Sequence, residues 1–279
     1  MKVLSLGAGV QSTCVYLLSH YGQIDRLDYA IFADVGDEPK AVYRHLDWMR
    51  NELGGDTPIL VGSKGCLGDD LIMNRNSTGQ RFASIPAYTG FAGTKEGRLR
   101  RQCTKEYKID VVHQVLRREV LGLQPRQRIK KDTNVTMVFG ISLEEARRTK
   151  GILKRMTQYP WMTALFPLID RGWTRKDCQD WMTNLLPYEV PRSACVYCPY
   201  HSNEEWLRLK EAGGEDWERA VEVDAALRSD HVVNRKITQP MYVHRSLIPL
   251  NEIDFAGLVA AKQPSHPLFT EECEGMCGV

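Results

Sequence analysis

Apolar residues in this chain fall into short runs separated by longer amphipathic stretches. Val3, Leu4 and Leu6 predict a buried strand that begins almost at residue 1. A small-residue turn, Gly7-Ala8-Gly9-Val10-Gln11-Ser12, follows, and Cys14 to Leu18 then predicts the first turns of a helix. Leu27 to Ala33 predicts a second strand. Ala41 to Leu53 predicts an amphipathic helix that offers Val42, Leu46, Trp48 and Met49 for burial, and Thr57 to Val61 predicts a third strand. A β-α-β-α-β rhythm implies a parallel sheet with helices on both faces, in which ligands bind beyond the carboxyl ends of the strands. The first turn and the Asp34 loop both lie there.

Further along, residues 62 to 100 hold seven glycines and many polar residues, and a loop of that length is usually functional. Lys108 to Leu121 predicts a helix with Ile109, Val112, Val115 and Leu116 on one stripe. Val135 to Ile141 predicts the clearest strand of the chain. Glu144 to Lys154 reads as a charged helix or turn, Trp161 to Asp170 as strand-like, and Thr174 to Leu186 as a helix with a good N-cap residue. From Pro187 the composition shifts to Pro, Cys, Tyr and Trp. Helices are expected over Asn203 to Glu211 and Asp216 to Leu227, and an irregular tail starts at Gln263. This divides the chain into residues 1–186, a nucleotide-binding domain, and residues 187–279, a helical module with cysteines.

Composition narrows the class. With 279 residues, 43% hydrophobic and 26% charged, the chain has the make-up of a soluble globular protein. No apolar run is long enough to span a bilayer, and no secretion signal is read at the N-terminus, so a cytoplasmic location with no membrane role is expected. The net charge of +2 says little about partners. Eight cysteines in a cytosolic chain favour metal or redox chemistry over a disulfide framework.

Two places stand out chemically. A strand, a glycine turn and a helix N-terminus make an anion pocket, with Ser12 and Thr13 as hydroxyl donors. Cys195-Val196-Tyr197-Cys198-Pro199 is the strongest local signal, because a tight turn with two intervening residues can aim both sulfurs at one centre. A redox pair, half a zinc site and half an iron–sulfur site all fit that spacing. Cys103 lies among cations just before a helix, a setting that favours thiolate. Cys273 and Cys277 sit on the tail, as a fourth ligand, a mobile redox thiol or an exposed pair. Cys14, Cys66 and Cys178 read as structural. Lys105, Lys108, Arg100, Arg101 and Arg147 are candidate partners for phosphate or sulfate, with surface charge as the plain alternative. Asp34 is a candidate for ribose or magnesium, or a simple cap. Trp206, Trp217 and Tyr200 read as helix packing.

The first turn resembles the PP-loop of the ATP pyrophosphatase superfamily, S-G-G-x-D-S, matching at Gly9 and Ser12 and departing at Gly7, Ala8 and Gln11. Several segments in order resemble the phosphoadenosine phosphosulfate reductase family. Phe32 to Pro39 is similar to D-T-G-x-x-x-P-E, Cys103 to Ile109 to C-x-x-x-K-V, and Gly140 to Arg147 to G-I-R-x-x-E-S-x-R. Phe166 to Thr174 is similar to P-L-x-D-W-T, and Glu272-Cys273-Glu274-Gly275 to the E-C-G tail. Adjacent cysteines of the iron–sulfur reductases are replaced by Gln102-Cys103.

This resemblance implies a doubly wound parallel sheet of the adenine nucleotide alpha hydrolase-like, PP-loop kind. It implies ATP with Mg2+ on Ser5, Gly7, Gly9, Gln11, Ser12, Thr13 and Asp34, assisted by Lys105, Lys108 and Arg147. It also implies an iron–sulfur cluster, of 4Fe-4S type or with zinc as the alternative, on Cys103, Cys195, Cys198 and Cys273. Asp34, Cys273 and Cys277 are the implied catalytic groups. The expected activity is ATP-dependent sulfur transfer to a nucleic acid, tRNA or DNA, with sulfide or a cysteine desulfurase as donor. Reduction of a sulfonucleotide to sulfite and a zinc-held nucleotide-binding module are the alternatives, and a homodimer is compatible with either.

Overall fold

The computed structural model describes residues 1–53, 57–79, 82–229 and 239–261. Five parallel strands form the central sheet: β1 (Lys2–Leu6), β2 (Tyr29–Asp34), β3 (Ile59–Ser63), β6 (Val135–Phe139) and β7 (Met162–Leu165), in the spatial order β3-β2-β1-β6-β7. The two-residue strands β4 (Tyr88–Thr89), β5 (Gly97–Arg98) and β8 (Met241–Tyr242) make a small antiparallel sheet. The fold is therefore α/β, with helices on both faces of an all-parallel sheet, the arrangement of doubly wound folds.

Strand alternation distributes the core. Leu4, Leu6, Phe32 and Val138 face one side, where α1 (Val10–His20), α2 (Lys40–Asn51) and α7 (Arg175–Met182) pack. Their neighbours Val3, Ile31, Met137 and Phe139 face the other side, against α4 (Asp110–Val115) and α5 (Thr149–Met156). A third cluster lies beyond the carboxyl end of β2. It joins Val35, α3 (Leu67–Ile72) and Tyr107 to Tyr197, α8 (Asn203–Ala212), α9 (Gly214–Ala226) and α10 (Phe255–Ala260).

Several local expectations shift. The helix expected from Lys108 starts at Thr104, because π-helical turns (Thr104–Ile109 and Leu116–Val120) flank α4. In α2 it is His45 that is buried, while Trp48 is only partly covered. The long glycine-rich loop contains α3, β4 and β5. The stretch read as one strand after Trp161 divides into β7 and a single helical turn, α6 (Pro167–Asp170), where Pro167 suits the first helical position. Thr174 does cap α7, in a capping box with Asp177. Ser202 and Glu205 form a second one at α8, a Ser-x-x-Glu signature present in the sequence. Among the described residues no helix is long and apolar enough to cross a membrane.

The chain runs from β1 outward to β3 and then returns to the opposite side of β1 through β6. The crevice between β1 and β6 is therefore the switch point of the sheet. There Gly140 lies directly on the first turn: a Cβ at this position would stand 2.6 Å from the Ser12 nitrogen and 2.7 Å from its Cα. Backbone cannot yield as a side chain can. Gly140→Ala is therefore expected to cost about 1–3 kcal/mol in urea unfolding.

Buried histidines set the acid response. Burial lowers His45, His113 and His244 to about 4, and His201 to about 3. In the unfolded chain these rings titrate near the ordinary histidine value, so below about pH 6.5 the unfolded state binds more protons. Urea midpoints should hold steady with respect to these groups above pH 7 and fall as pH drops from about 6.5 towards 4. A flat midpoint across that window would contradict the burial of the four rings.

Candidate functional site

Two neighbouring places beyond the strand ends concentrate the chemistry. The first is the turn after β1. Its residues Gly7 to Thr13 are all buried, and Ala8 takes a left-handed φ of 57°. Ser12 Oγ accepts from the Gly7 N–H at 3.2 Å and donates to the Gly9 carbonyl at 3.3 Å. Thr13 Oγ1 meets His45 Nε2 at 2.9 Å, and His45 Nδ1 meets the Tyr188 hydroxyl at 3.0 Å. Both hydroxyls expected as phosphate donors thus have protein partners. Ser5 is buried within β1.

Gln11 is only 2% exposed, and its amide Nε2 donates to Ser142 Oγ at 2.9 Å and Glu145 Oε2 at 2.6 Å. Glu145 also pairs with Arg148 Nη1 at 2.6 Å, with both side chains buried. The inward cation of this loop is therefore Arg148, whereas Arg147 is exposed. Alternation alone could not separate them, since residues 143–148 wind as a 3-10 helix rather than an α-helix. Glu144 turns away and accepts from the Arg175 N–H at 2.7 Å.

The second place lies beyond β2. Asp34 is anchored through one oxygen: its Oδ1 accepts from the Gly36 N–H and from the Tyr43 hydroxyl, each at 2.8 Å. Asp37 and Glu38 then turn inward. Asp37 Oδ2 accepts from the Gly68 N–H and the Tyr197 hydroxyl, each at 2.8 Å, and Arg219 Nε donates to Oδ1 at 2.8 Å. Its carbonyl accepts from the Val196 N–H at 2.9 Å. Glu38 is wholly buried and meets Lys108 Nζ at 2.8 Å, while Ser193 Oγ donates to its other oxygen at 3.3 Å. Two consecutive acidic residues thereby hold the segment that leads into Cys195 and the helix that follows Cys103.

The result is a small pocket of about 20 Å³ whose walls include Cys103, Cys195 and Cys198. The Cys198 N–H donates to the Cys195 carbonyl at 2.8 Å, closing a tight turn, and the Cys103 N–H donates to the Ser84 carbonyl at 3.1 Å. Arg101, Lys108 and Tyr200 also line it, together with Val35, Leu67 and Ile85, and the surface they present to the pocket is apolar. Cations beside thiols favour thiolate, and soft sulfur donors in an apolar wall suit a metal–sulfur centre. Among the described residues no three His, Cys, Asp or Glu side chains gather closely enough to hold one metal ion. The cysteines line a shared cavity instead.

The remaining candidates lie elsewhere. Lys105 is exposed and pairs with Asp110 at 3.2 Å. Cys66 touches Asp37 and Arg219, and burial together with Asp37 pushes its thiol up to about 11. Cys14 and Cys178 are hydrogen-bonded to each other inside the α1–α7 interface, and their mutual contact and burial push Cys178 well up. His201 packs edge-on against Trp206, with ring centroids 4.6 Å apart. Cys273 and Cys277 lie outside the described residues. Glu38, Glu145, Arg148 and Tyr200 were not singled out as site residues in the sequence. Glu38 and Glu145 lie inside segments with family resemblance, whereas Arg148 and Tyr200 lie just beyond the segments and the cysteine turn that drew attention.

No protein-family model matches the chain, and the searches of curated proteins and of solved structures returned no match either.

Glu38→Gln strands the Lys108 ammonium in a buried setting, so unfolding free energy should fall by about 3–5 kcal/mol. Glu38→Gln with Lys108→Met removes both charges and should regain much of that loss. A single variant as stable as the parent would show that the pair does not hold the pocket.

Proposed function

We propose that the chain is a PP-loop-type sulfur-transfer enzyme of the phosphoadenosine phosphosulfate reductase-like kind, using an adenine nucleotide and a metal–sulfur centre. The observation that carries this is the meeting of Cys103 with the Cys195/Cys198 turn in one cation-bearing pocket beyond β2. Nucleotides bind at the carboxyl ends of doubly wound sheets, beside the switch point, and the Gly7–Ser12 turn is the element placed there. The carboxylate that S-G-G-x-D-S carries is absent at Gln11. Glu145 returns one to within 2.6 Å of the Gln11 amide.

Cys103, Cys195 and Cys198 would hold an iron–sulfur cluster, with the fourth position left to Cys273 or to an incoming sulfur. Bound there, the group would supply a soft site that keeps sulfide as a nucleophile. In a cluster each thiolate would take its own iron, so three cysteines lining one cavity suit that group.

The chain's own groups set up the rest. An acceptor oxygen attacks the α-phosphorus of ATP, and the bond to the bridging oxygen breaks to release pyrophosphate. Backbone N–H groups of the first turn and the N-terminal end of α1 favour the anionic charge that builds on the phosphates. Hydrosulfide then attacks the activated carbon, or phosphorus, of the acceptor, and AMP leaves with the original oxygen. No net oxidation occurs when sulfur enters as sulfide. Arg101, on the pocket wall, would meet the departing or entering anion, while Lys108 stays paired with Glu38.

Protein reconstituted without oxygen with iron and sulfide should be brown, and Cys195→Ser should lose most of the colour and bound iron. Release of pyrophosphate from ATP should require a nucleic-acid acceptor. Thiol-dependent sulfite formation from a sulfonucleotide would replace this reading with the reductase, and a colourless protein that retains stoichiometric zinc would replace it with the structural module.

A further inference from the structure

At the mouth of the cysteine pocket, two guanidinium groups converge on one aromatic ring. Arg98 Cζ stands 5.6 Å and Arg101 Cζ 5.2 Å from the centre of the Tyr200 ring. Tyr200 also lines the pocket, and only 9% of it is exposed. The arrangement is held from behind. Arg98 is opposite Tyr88 in the β4–β5 pair and hydrogen-bonds its phenol. The Leu99 N–H donates to the Ala87 carbonyl at 2.9 Å, Ser84 Oγ donates to the Arg100 carbonyl at 2.6 Å, and the Gln102 N–H donates to the Ser84 carbonyl at 3.0 Å. The segment from Arg98 to Cys103 is thus fastened along its length, and a guanidinium and a pocket thiol sit two residues apart.

Arginine is suited to this place. Its planar fork matches phosphate oxygens and can stack on an aromatic face while doing so. β5 is exposed at both of its residues, so a long ligand can reach it, whereas the pocket interior admits only a small group. Paired positive charge beside an exposed strand can track the backbone of a single-stranded nucleic acid.

We propose that Arg98, Arg101 and Tyr200 form a phosphodiester-binding lip that lays a single-stranded nucleic acid across the mouth of the cysteine pocket. The inference rests on the sulfur-transfer reading for its purpose, and it gives that reading its substrate class. Arg98 and Arg101 each neutralise a backbone phosphate, and the covered Tyr200 ring holds the two guanidinium groups side by side. One nucleotide is thereby presented to Cys103, Cys195 and Cys198.

The full chain can be titrated against fluorescein-labelled single-stranded oligoribonucleotides and oligodeoxyribonucleotides of mixed sequence, from low to moderate salt, with anisotropy as the readout. At low salt, Arg98→Gln with Arg101→Gln should weaken binding at least about tenfold and flatten the log–log salt slope by about 1.4, the share of two phosphates on a single strand. Arg128→Gln with Lys131→Gln removes the same charge from an exposed segment elsewhere and should change neither value. Arg98→Lys with Arg101→Lys keeps the charge but loses the fork and the stack, and should weaken binding about threefold. That variant also serves if the glutamine pair fails to fold, as judged by urea unfolding.

The ribo and deoxyribo arms identify which nucleic acid is held. The lip is overturned if the parent binds neither strand, or if the lysine pair binds like the parent. Equal weakening by the Arg98/Arg101 and Arg128/Lys131 changes would overturn it too, as would loss of binding to a nucleoside 3′,5′-bisphosphate alone. The titration needs neither ATP nor a metal centre. A chain that binds strands through Arg98 and Arg101 but never releases pyrophosphate would therefore sink the sulfur-transfer reading and leave the lip standing.

Discussion

Two consecutive buried carboxylates, Asp37 and Glu38, hold this molecule's chemistry in place. Each is removed from water immediately after the β2 strand, and a buried charge is tolerable only when paired and hydrogen-bonded. Asp37 satisfies itself with Arg219, Gly68 and Tyr197, and Glu38 with Lys108 and Ser193. Their partners come from α3, α9, the helix after Cys103 and the segment before Cys195. Satisfying two side chains therefore draws four distant parts of the chain to one end of the sheet. The cysteine pocket follows from that electrostatic demand.

The switch point shows a related economy. The buried Gln11 amide is surrounded by Ser142, Glu145 and the Glu145–Arg148 pair. Gly140 lets that second loop lie against the first turn at a distance no side chain would allow. Charge near the turn is thus supplied by a loop about 130 residues away in sequence. Gln11 from one loop and the Glu145–Arg148 pair from the other keep the turn's surroundings polar in an otherwise apolar crevice.

Local conformation and pocket position are coupled through the small antiparallel sheet as well. β4 pairs with β5 on one side and with β8 on the other, so residues near 88, 98 and 242 are held in one small sheet. Arg228 adds a contact by lying 4.8 Å over the Tyr242 ring. The basic lip therefore stands on a framework tied to the third hydrophobic cluster.

Much of this was readable from residue order. The strands after Val3, Leu27 and Val135 announce themselves through apolar runs, and the helices by their stripes and by caps such as Thr174, because those signals arise within a few residues of one another. The pairing of two cysteines around a tight turn is equally local. Which cation faces inward, Arg148 or Arg147, depends on a 3-10 winding that periodicity does not reveal. That Asp37 and Glu38 point into the protein depends on partners from about 30 to more than 180 residues away. Convergence of Cys103 on the 195–198 turn, and of Arg98 and Arg101 on Tyr200, belongs to the same kind: contacts between segments about 100 residues apart, whose geometry exists only once the sheet and its loops have packed.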